Sequence, residues 1–135
     1  MAIRYLLDTN TASYIIKGNI PTVRKRLMKV PMAEVSISAV TEAELHDGVA
    51  RRTGASKLAS IIEEFLLRLT VLPWDSAAAQ VYGRLRATLE REGKPMGNLD
   101  MMIASHALAA SLILVTNDHA FARVEKLQVE DWTRG

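Results

Sequence analysis

The sequence predicts an α/β fold of three layers, α/β/α, in which a parallel β-sheet is flanked by helices on both faces. Short apolar runs rich in β-branched residues alternate along the chain with longer segments of helical periodicity. That alternation is typical of βαβ units and a parallel sheet. The length of 135 residues and the 49% apolar content suit one hydrophobic core, so we expect a single domain over residues 1–135.

Five apolar runs are predicted to be strands. The first has one polar break at Arg4, and Pro73 ends the third, because proline cannot donate a hydrogen bond to a neighbouring strand. The run Leu112-Ile-Leu-Val-Thr116 is apolar at almost every position, as expected for a strand buried on both faces. The predicted strands cover residues 3–7, 35–38, 70–74, 112–116 and 127–129.

Helices are predicted between these strands from apolar periodicity and from end signals. Pro21 suits the first turn of a helix, and Asp75 suits the N-cap of the longest one. We expect Gly48 to help end the helix that follows the second strand. The segment 93–97, with two glycines and a proline, predicts a loop. The predicted helices cover residues 11–17, 21–30, 40–50, 55–69, 76–92, 99–110 and 119–124.

Composition excludes several classes of protein. The chain has no cysteine, which excludes disulfides, zinc–thiolate sites and thiol catalysis. The apolar start of the chain is too short for a signal peptide, and no apolar run reaches membrane-spanning length. We therefore expect a cytoplasmic protein.

The formal net charge of +2 is mildly basic, and the basic residues are clustered. They concentrate at residues 24–29, 51–52 and 84–94. Each cluster is open to two interpretations, an ordinary solvated helix face or a surface that contacts nucleic-acid phosphates.

Four acidic residues are placed where a shared site is expected. Asp8 directly follows the first strand, and Asp118 follows the strand that ends at Thr116. Glu44 lies on the helix after the second strand, and Asp100 opens the helix before the fourth. Sites in parallel sheets form beyond the carboxyl ends of the strands. We therefore expect these four side chains to converge at one rim of the sheet.

Two of these acids also have ordinary structural interpretations at strand ends. Asp8 is placed to cap the following helix, although Asn10 can take that cap and leave Asp8 free. Asp118 is placed as a turn or N-cap residue, and Thr116 and Asn117 beside it carry further oxygen donors.

The two acids on helices have alternatives as well. Thr41 and Glu44 have the spacing of a capping box, which would fold Glu44 back on its helix start. Glu42 competes with Glu44, but the two side chains point about 200° apart on a helix, so only one can face the rim. Asp100 suits the first turn of its helix, where acids are favoured by the helix dipole.

A shared site explains the four acids together. Carboxylates gathered at one rim repel each other and take up protons unless divalent cations neutralise them. Ligation by oxygen alone suits Mg²⁺ or Mn²⁺. Two such ions can activate a water and stabilise the leaving oxygen when a phosphodiester is hydrolysed.

The other polar and aromatic candidates predict no site. His46, His106 and His119 lack metal-ligand spacing, and we expect His106 to be a helix-surface or packing residue. Trp74 and Trp132 are expected to pack in the core or at its edge rather than to stack on bases.

The set of motifs resembles the PIN-domain ribonucleases and, more closely, the VapC toxins of bacterial type II toxin–antitoxin modules. The resemblance covers almost the whole chain. It rests on Leu7-Asp-Thr-Asn10, on Thr41-Glu-Ala-Glu44-Leu-x-x-Gly48, on Asp100-x-x-Ile-Ala104, on Val115-Thr-Asn-Asp118, and on the Trp74-Asp75 and Val129-Glu-Asp-Trp132 segments.

The resemblance implies a PIN-like fold and an endoribonuclease that depends on Mg²⁺ or Mn²⁺. By motif position it assigns metal and catalytic roles to Asp8, Glu44 (not Glu42), Asp100 and Asp118. It also implies initiator tRNA, cut in the anticodon stem-loop, as the substrate. The implied partners are a cognate VapB-type antitoxin and a second copy of the chain.

Two other classes of function also use acidic residues at the end of a strand or in a pocket. A phosphatase of the haloacid-dehalogenase type also places an Asp after its first strand, but it needs a second Asp two residues later, where this chain has Asn10. A non-catalytic receiver or RNA-binding module with an acidic pocket is the third class. A receiver needs a lysine after a late strand, and none follows the strand that ends at Thr116.

Overall fold

A computed structural model describes residues 2–135. Within this range five strands form one sheet of order β3-β2-β1-β4-β5, and every neighbouring pair is parallel. The strands are β1 (Tyr5–Leu7), β2 (Val35–Ser38), β3 (Thr70–Leu72), β4 (Ile113–Val115) and β5 (Val129–Glu130). The helices are α1 (Thr9–Lys17), α2 (Pro21–Met28), α3 (Ala39–Ala50), α4 (Ser56–Arg68), α5 (Ser76–Arg91) and α6 (Asn98–Ala110).

The three-layer prediction is confirmed, and the apolar side chains of β1 show why. Tyr5 and Leu7 pack on one face of the sheet, in the core that includes residues of α1, α2 and α4. Leu6 between them packs on the other face, with α6 and β4. Successive side chains of a strand point to opposite faces, so a strand that is apolar throughout needs a layer on each side.

Several element boundaries differ from the predictions. The predicted last strand, 127–129, is displaced to Val129–Glu130, and the predicted helix 119–124 is a 3-10 helix over His119–Arg123. Two further 3-10 helices, Met32–Glu34 and Trp132–Arg134, were not predicted. These are short segments whose conformation depends on the residues they pack against more than on local periodicity.

The interpretation of Gly48 as a helix-ending residue was wrong. α3 continues past it to Ala50, and the C-cap is Arg51 in a right-handed conformation. Gly48 therefore lies inside the helix and does not supply the left-handed turn that a C-terminal glycine provides.

The chain reverses direction across the sheet beside β1. β1 to β3 extend to one side of it, and β4 and β5 lie on the other. The carboxyl ends of β1 and β4 therefore flank the switch point of the sheet, where ligands bind in open α/β folds. None of the helices formed by residues 2–135 has the length and hydropathy that crossing a membrane would require.

Candidate metal centre

Asp8 lies at the carboxyl end of β1 and is 3% exposed. It is the N-cap of α1, and its Oδ1 accepts a hydrogen bond of 2.8 Å from the backbone N–H of Thr11. The expectation that Asn10 would take this cap was wrong. The helix begins at Thr9, so Asn10 already lies in its first turn and Asp8 occupies the position from which a side chain reaches the free amides.

Burial raises the pKa of Asp8. Hydrogen bonds from the Thr116 and Thr11 side chains and from the Thr11 amide oppose this effect, and the negative charge of Asp118 adds to it. Asp8 therefore caps α1 and still interacts with the rest of the acidic group. Its ionised form is disfavoured, and a bound cation would stabilise that form.

Glu44 is not part of a capping box. Ser38 caps α3, because its Oγ accepts from the N–H of Val40 at 3.1 Å, and Thr41 lies within the helix. Glu44 Oε1 accepts a hydrogen bond of 2.6 Å from the hydroxyl of Thr9, which brings α1 and α3 together.

The Thr9 hydroxyl also contacts Thr41 Oγ1 at 3.1 Å, and this fixes the direction of both bonds. A hydroxyl has one proton, and Thr9 donates that proton to Glu44. The Thr41 hydroxyl, whose residue is fully buried, must therefore donate to Thr9. Thr41 therefore donates a hydrogen bond to Thr9, and Thr9 donates one to Glu44. A buried side chain of α3 thereby orients the Glu44 carboxylate on the same helix.

Asp100 shows that the four acids share one electrostatic neighbourhood. Its pKa is raised first by burial and then by the negative charges of Asp118, Glu44 and Asp8. Glu42 has no part in this group. It faces His46 on the outside of α3, with 3.9 Å between Oε2 and Nε2.

Asp118 combines a structural contact with its place in the acidic group. Its Oδ1 accepts from the N–H of Ala120 at 2.9 Å and caps the 3-10 helix, so the N-cap interpretation is confirmed. Its own N–H donates to Thr116 Oγ1 at 3.0 Å. Next to it, the Asn117 amide donates to the Tyr14 hydroxyl at 3.3 Å.

The donors available here are carboxylate, hydroxyl and amide oxygens. Such a set suits hard divalent cations such as Mg²⁺ or Mn²⁺ rather than zinc. As the side chains of residues 2–135 stand, no three His, Asp or Glu residues are close enough to enclose one ion. Asp8, Glu44 and Asp118 each have one oxygen bonded to a donor of the protein, which leaves the second carboxylate oxygen of each to face a cation.

Sequence reasoning missed a buried pair that supports the site. His106 on α6 is 4% exposed, and its Nδ1 lies 2.8 Å from Ser38 Oγ. Burial lowers the pKa of His106, opposed by the charge of Asp75, which favours the neutral form of the ring. The packing alternative for His106 is confirmed and the surface alternative was wrong. A serine directly before a helical run was the available signal for the Ser38 cap.

The tryptophans pack as predicted. The Trp74 indole donates to the carbonyl of Met102 at 2.9 Å, and Trp132 is 2% exposed with its ring against Tyr5. Both rings are held within the fold, which leaves neither as a free platform for bases.

Several basic residues are paired on helix surfaces. Arg51 binds Asp47 and Arg86 binds Glu90, each four residues apart on one helix, at 2.9 and 3.0 Å. These contacts are typical of solvated helix faces. For the remaining basic residues, phosphate contact stays a prediction.

Comparisons with known proteins identify a single family. A family profile described as the PIN domain matches residues 5–127. The chain is 39% identical over 132 residues to a protein of Shigella flexneri named tRNA(fMet)-specific endonuclease VapC, which covers 97% of this chain and 99% of that one. The crystal structure of DNA-bound VapBC from Salmonella typhimurium matches with a TM-score of 0.91 at 36% identity, over 96% of this chain and 98% of that one. VapBC2 from Rickettsia felis, bound to a fragment of promoter DNA, matches with a TM-score of 0.88 at 34% identity, over 98% and 99% of the two chains.

Proposed function

The chain belongs to the PIN-domain family, alongside the VapC ribonucleases, and we propose that it is the toxin of a VapBC-type toxin–antitoxin module. Its activity is then the hydrolysis of RNA phosphodiester bonds. The observation that carries this proposal is that acids from four separate segments of the chain lie near one another: beside burial, the charges of Asp118, Glu44 and Asp8 each raise the pKa of Asp100.

We assign the metal ligands from this group. PIN-domain ribonucleases depend on divalent metal in general, and the oxygen donors here favour Mg²⁺ or Mn²⁺. Asp8, Glu44 and Asp100 would hold the metal directly, and Asp118 would bind a second ion or orient the attacking water. When bound, divalent ions would supply activation of water and stabilisation of the negative charge that develops during phosphodiester hydrolysis.

Residues of this chain perform the remaining tasks. Thr41 and Thr9 hold the Glu44 carboxylate in place, and Thr116 orients the segment that carries Asp118. Asp8 is positioned by the end of β1 and the start of α1. The four carboxylates exclude RNA phosphates by repulsion until cations are present, which couples substrate binding to metal binding.

The proposals for the substrate and the partners rest on the names of related proteins. The Shigella flexneri relative is named for tRNA(fMet), and the Salmonella typhimurium and Rickettsia felis structures are of VapBC on DNA. We propose initiator tRNA as the substrate, a VapB-type antitoxin and a second copy of the chain as partners, and the cytoplasm as the location. We also propose that residues 1–135 are one PIN domain. The phosphatase and the non-catalytic module are not favoured, because 97% of the chain aligns with a VapC endonuclease.

The test is RNA cleavage by the purified protein without antitoxin. Cleavage should require Mg²⁺ or Mn²⁺ and stop with EDTA. Replacing Asp8 by Asn, or Asp100 by Asn, should lower the rate by about 100-fold or more, the scale on which groups at a reacting phosphate contribute.

Glu42→Gln is the matched control, because Glu42 lies on the same helix as Glu44 but faces His46. It should cleave at the wild-type rate, whereas Glu44→Gln should not. Full activity in Asp8→Asn and Asp100→Asn, or cleavage that persists in EDTA, would refute the mechanism.

A further inference from the structure

A groove of about 190 Å³ opens beside Glu44, between α1, α3 and α4. Its lining includes Thr9 and Glu44 and one apolar side chain from each of the three helices, Ile16, Leu45 and Leu58. Lys17 and Arg52 also line it, and both are exposed. One groove is therefore lined by Glu44 of the acidic group, by two exposed cations and by apolar side chains.

Gly48 lines this groove from inside α3. A helix is less stable with glycine than with alanine at an interior position, so a glycine found there usually has a packing reason. Here a Cβ would meet no atom within 4 Å. The fold itself does not need a glycine at this position. Because glycine has no side chain, the groove wall is flat at this position. A bound molecule that contacts the backbone of α3 would require such a flat wall.

The two cations at the groove have no acidic partner in residues 2–135. Neither Lys17 nor Arg52 forms a salt bridge in this range, whereas the neighbouring Arg51 is paired with Asp47. Unpaired cations next to an acidic metal centre complement the phosphates on either side of the bond that is cut.

We propose that this groove seats the nucleotide of the RNA next to the scissile phosphate. Lys17 and Arg52 contact the phosphate of that nucleotide, and its ribose and base lie on the apolar wall at Gly48. This proposal rests on the proposed ribonuclease function and names the part of the protein that holds the substrate beside the reacting bond.

The test measures binding of a labelled single-stranded RNA oligonucleotide in the presence of Mg²⁺, with an Asp8→Asn background to prevent cleavage. Fluorescence anisotropy at several salt concentrations gives the slope of log affinity against log salt. Arg52→Ala and Lys17→Ala should each reduce that slope by about 0.7, the value for one phosphate contact on a single strand. Arg51→Ala is the matched control and should leave the slope unchanged.

Gly48→Ala tests the apolar wall. Its melting temperature should equal or exceed that of the parent, because the methyl group meets open space and alanine favours the helix. Its RNA affinity should nevertheless fall several-fold with an unchanged salt slope, and Gly48→Leu should bind more weakly still.

Three results would overturn the groove assignment. The first is an equal change of slope in Arg51→Ala and Arg52→Ala. The second is unchanged RNA affinity in Gly48→Ala and Gly48→Leu. The third is a loss of antitoxin binding in these variants while RNA binding stays intact, which would make the groove a protein-binding site. If the groove variants behave as expected but the wild type never cleaves RNA, the groove stands and the proposed catalytic function fails.

Discussion

The hydroxyl of Thr41 is a small group with a specific task at the residue scale. It is fully buried, and it donates to Thr9, which donates to Glu44. A glutamate side chain has several rotatable bonds, and ordering it costs conformational entropy when a cation binds. These two hydrogen bonds order Glu44 before a cation binds, so the loss of conformational entropy on binding is smaller.

Thr41→Val should weaken Mn²⁺ binding by about three- to tenfold, because it removes one hydrogen bond, a contribution of about 0.5–1.5 kcal/mol, while conserving shape. Thr41→Ser should restore the affinity. Isothermal titration calorimetry with Mn²⁺ measures the effect without reference to activity.

Ser36→Ala is the control for losing a buried hydroxyl, since Ser36 donates to the carbonyl of Tyr5 inside the sheet and not to the acidic group. An equal loss of Mn²⁺ affinity in Ser36→Ala and Thr41→Val would show that Thr41 acts only through general stability.

At the scale of elements, α3 and its N-cap supply most of the residues that form the site and the groove beside it. Ser38 caps its first turn, Glu44 projects from its second turn, and Gly48 lines the groove beyond. His106 of α6 holds the Ser38 hydroxyl from the other side. The position of Glu44 therefore depends on a cap that is itself fixed by a second helix.

Ser38→Ala should lower the free energy of unfolding by about 1–3 kcal/mol, because it removes a helix cap and leaves the buried His106 ring without its partner. Urea unfolding followed by circular dichroism measures the change. Ser60→Ala is the matched control. Its exposed hydroxyl bonds to a carbonyl of the same helix, so the expected change is within about 0.5 kcal/mol. A loss of less than that amount in Ser38→Ala would contradict the role assigned to this cap.

At the scale of the whole molecule, the fold assembles a cluster of like charges. Asp8, Glu44, Asp100 and Asp118 come from four separate segments of the chain, and only the switch point beside β1 brings them together. Folding without metal must therefore overcome their burial and their repulsion, and the pKa values of Asp8 and Asp100 are raised first by burial and then by the neighbouring negative charges.

The charge cluster predicts a pH-dependent stability difference in EDTA. The pKa of Asp100 is raised in the folded state, so its ionised form destabilises the fold at neutral pH. Asp100→Asn should melt at a higher temperature than the wild type at pH 7. This advantage should shrink as the pH falls through the raised pKa and should vanish below the ordinary value of 3.8, where the Asp100 carboxyl is protonated in the folded and the unfolded state.

Thermal melts with Mg²⁺ complete this comparison. The ion should raise the melting temperature of the wild type more than that of Asp100→Asn, because it binds the folded state preferentially. Glu63→Gln, at an exposed position of α4, should show neither effect. A wild type that is more stable than Asp100→Asn at pH 7 in EDTA would contradict the account.

The sequence by itself determined the sheet, its main helices and the residues of the acidic group. Buried strands and amphipathic helices have local patterns of hydrophobicity, and acids that directly follow strands are placed by chain position alone. The three-layer arrangement was predictable for that reason. So was the selection of Glu44 over Glu42, since the resemblance and the turn of a helix both separate them.

Only the tertiary structure decided how those residues are held. Thr9 and Glu44 are 35 positions apart and His106 and Ser38 are 68 apart, and no local pattern encodes such contacts. The same limit explains why Asp8 rather than Asn10 caps α1, and why Gly48 lines a groove instead of ending a helix. The cap depends on where α1 starts, and the role of Gly48 depends on which helices lie beside α3. Packing between distant segments of the chain sets both the start of α1 and the neighbours of α3.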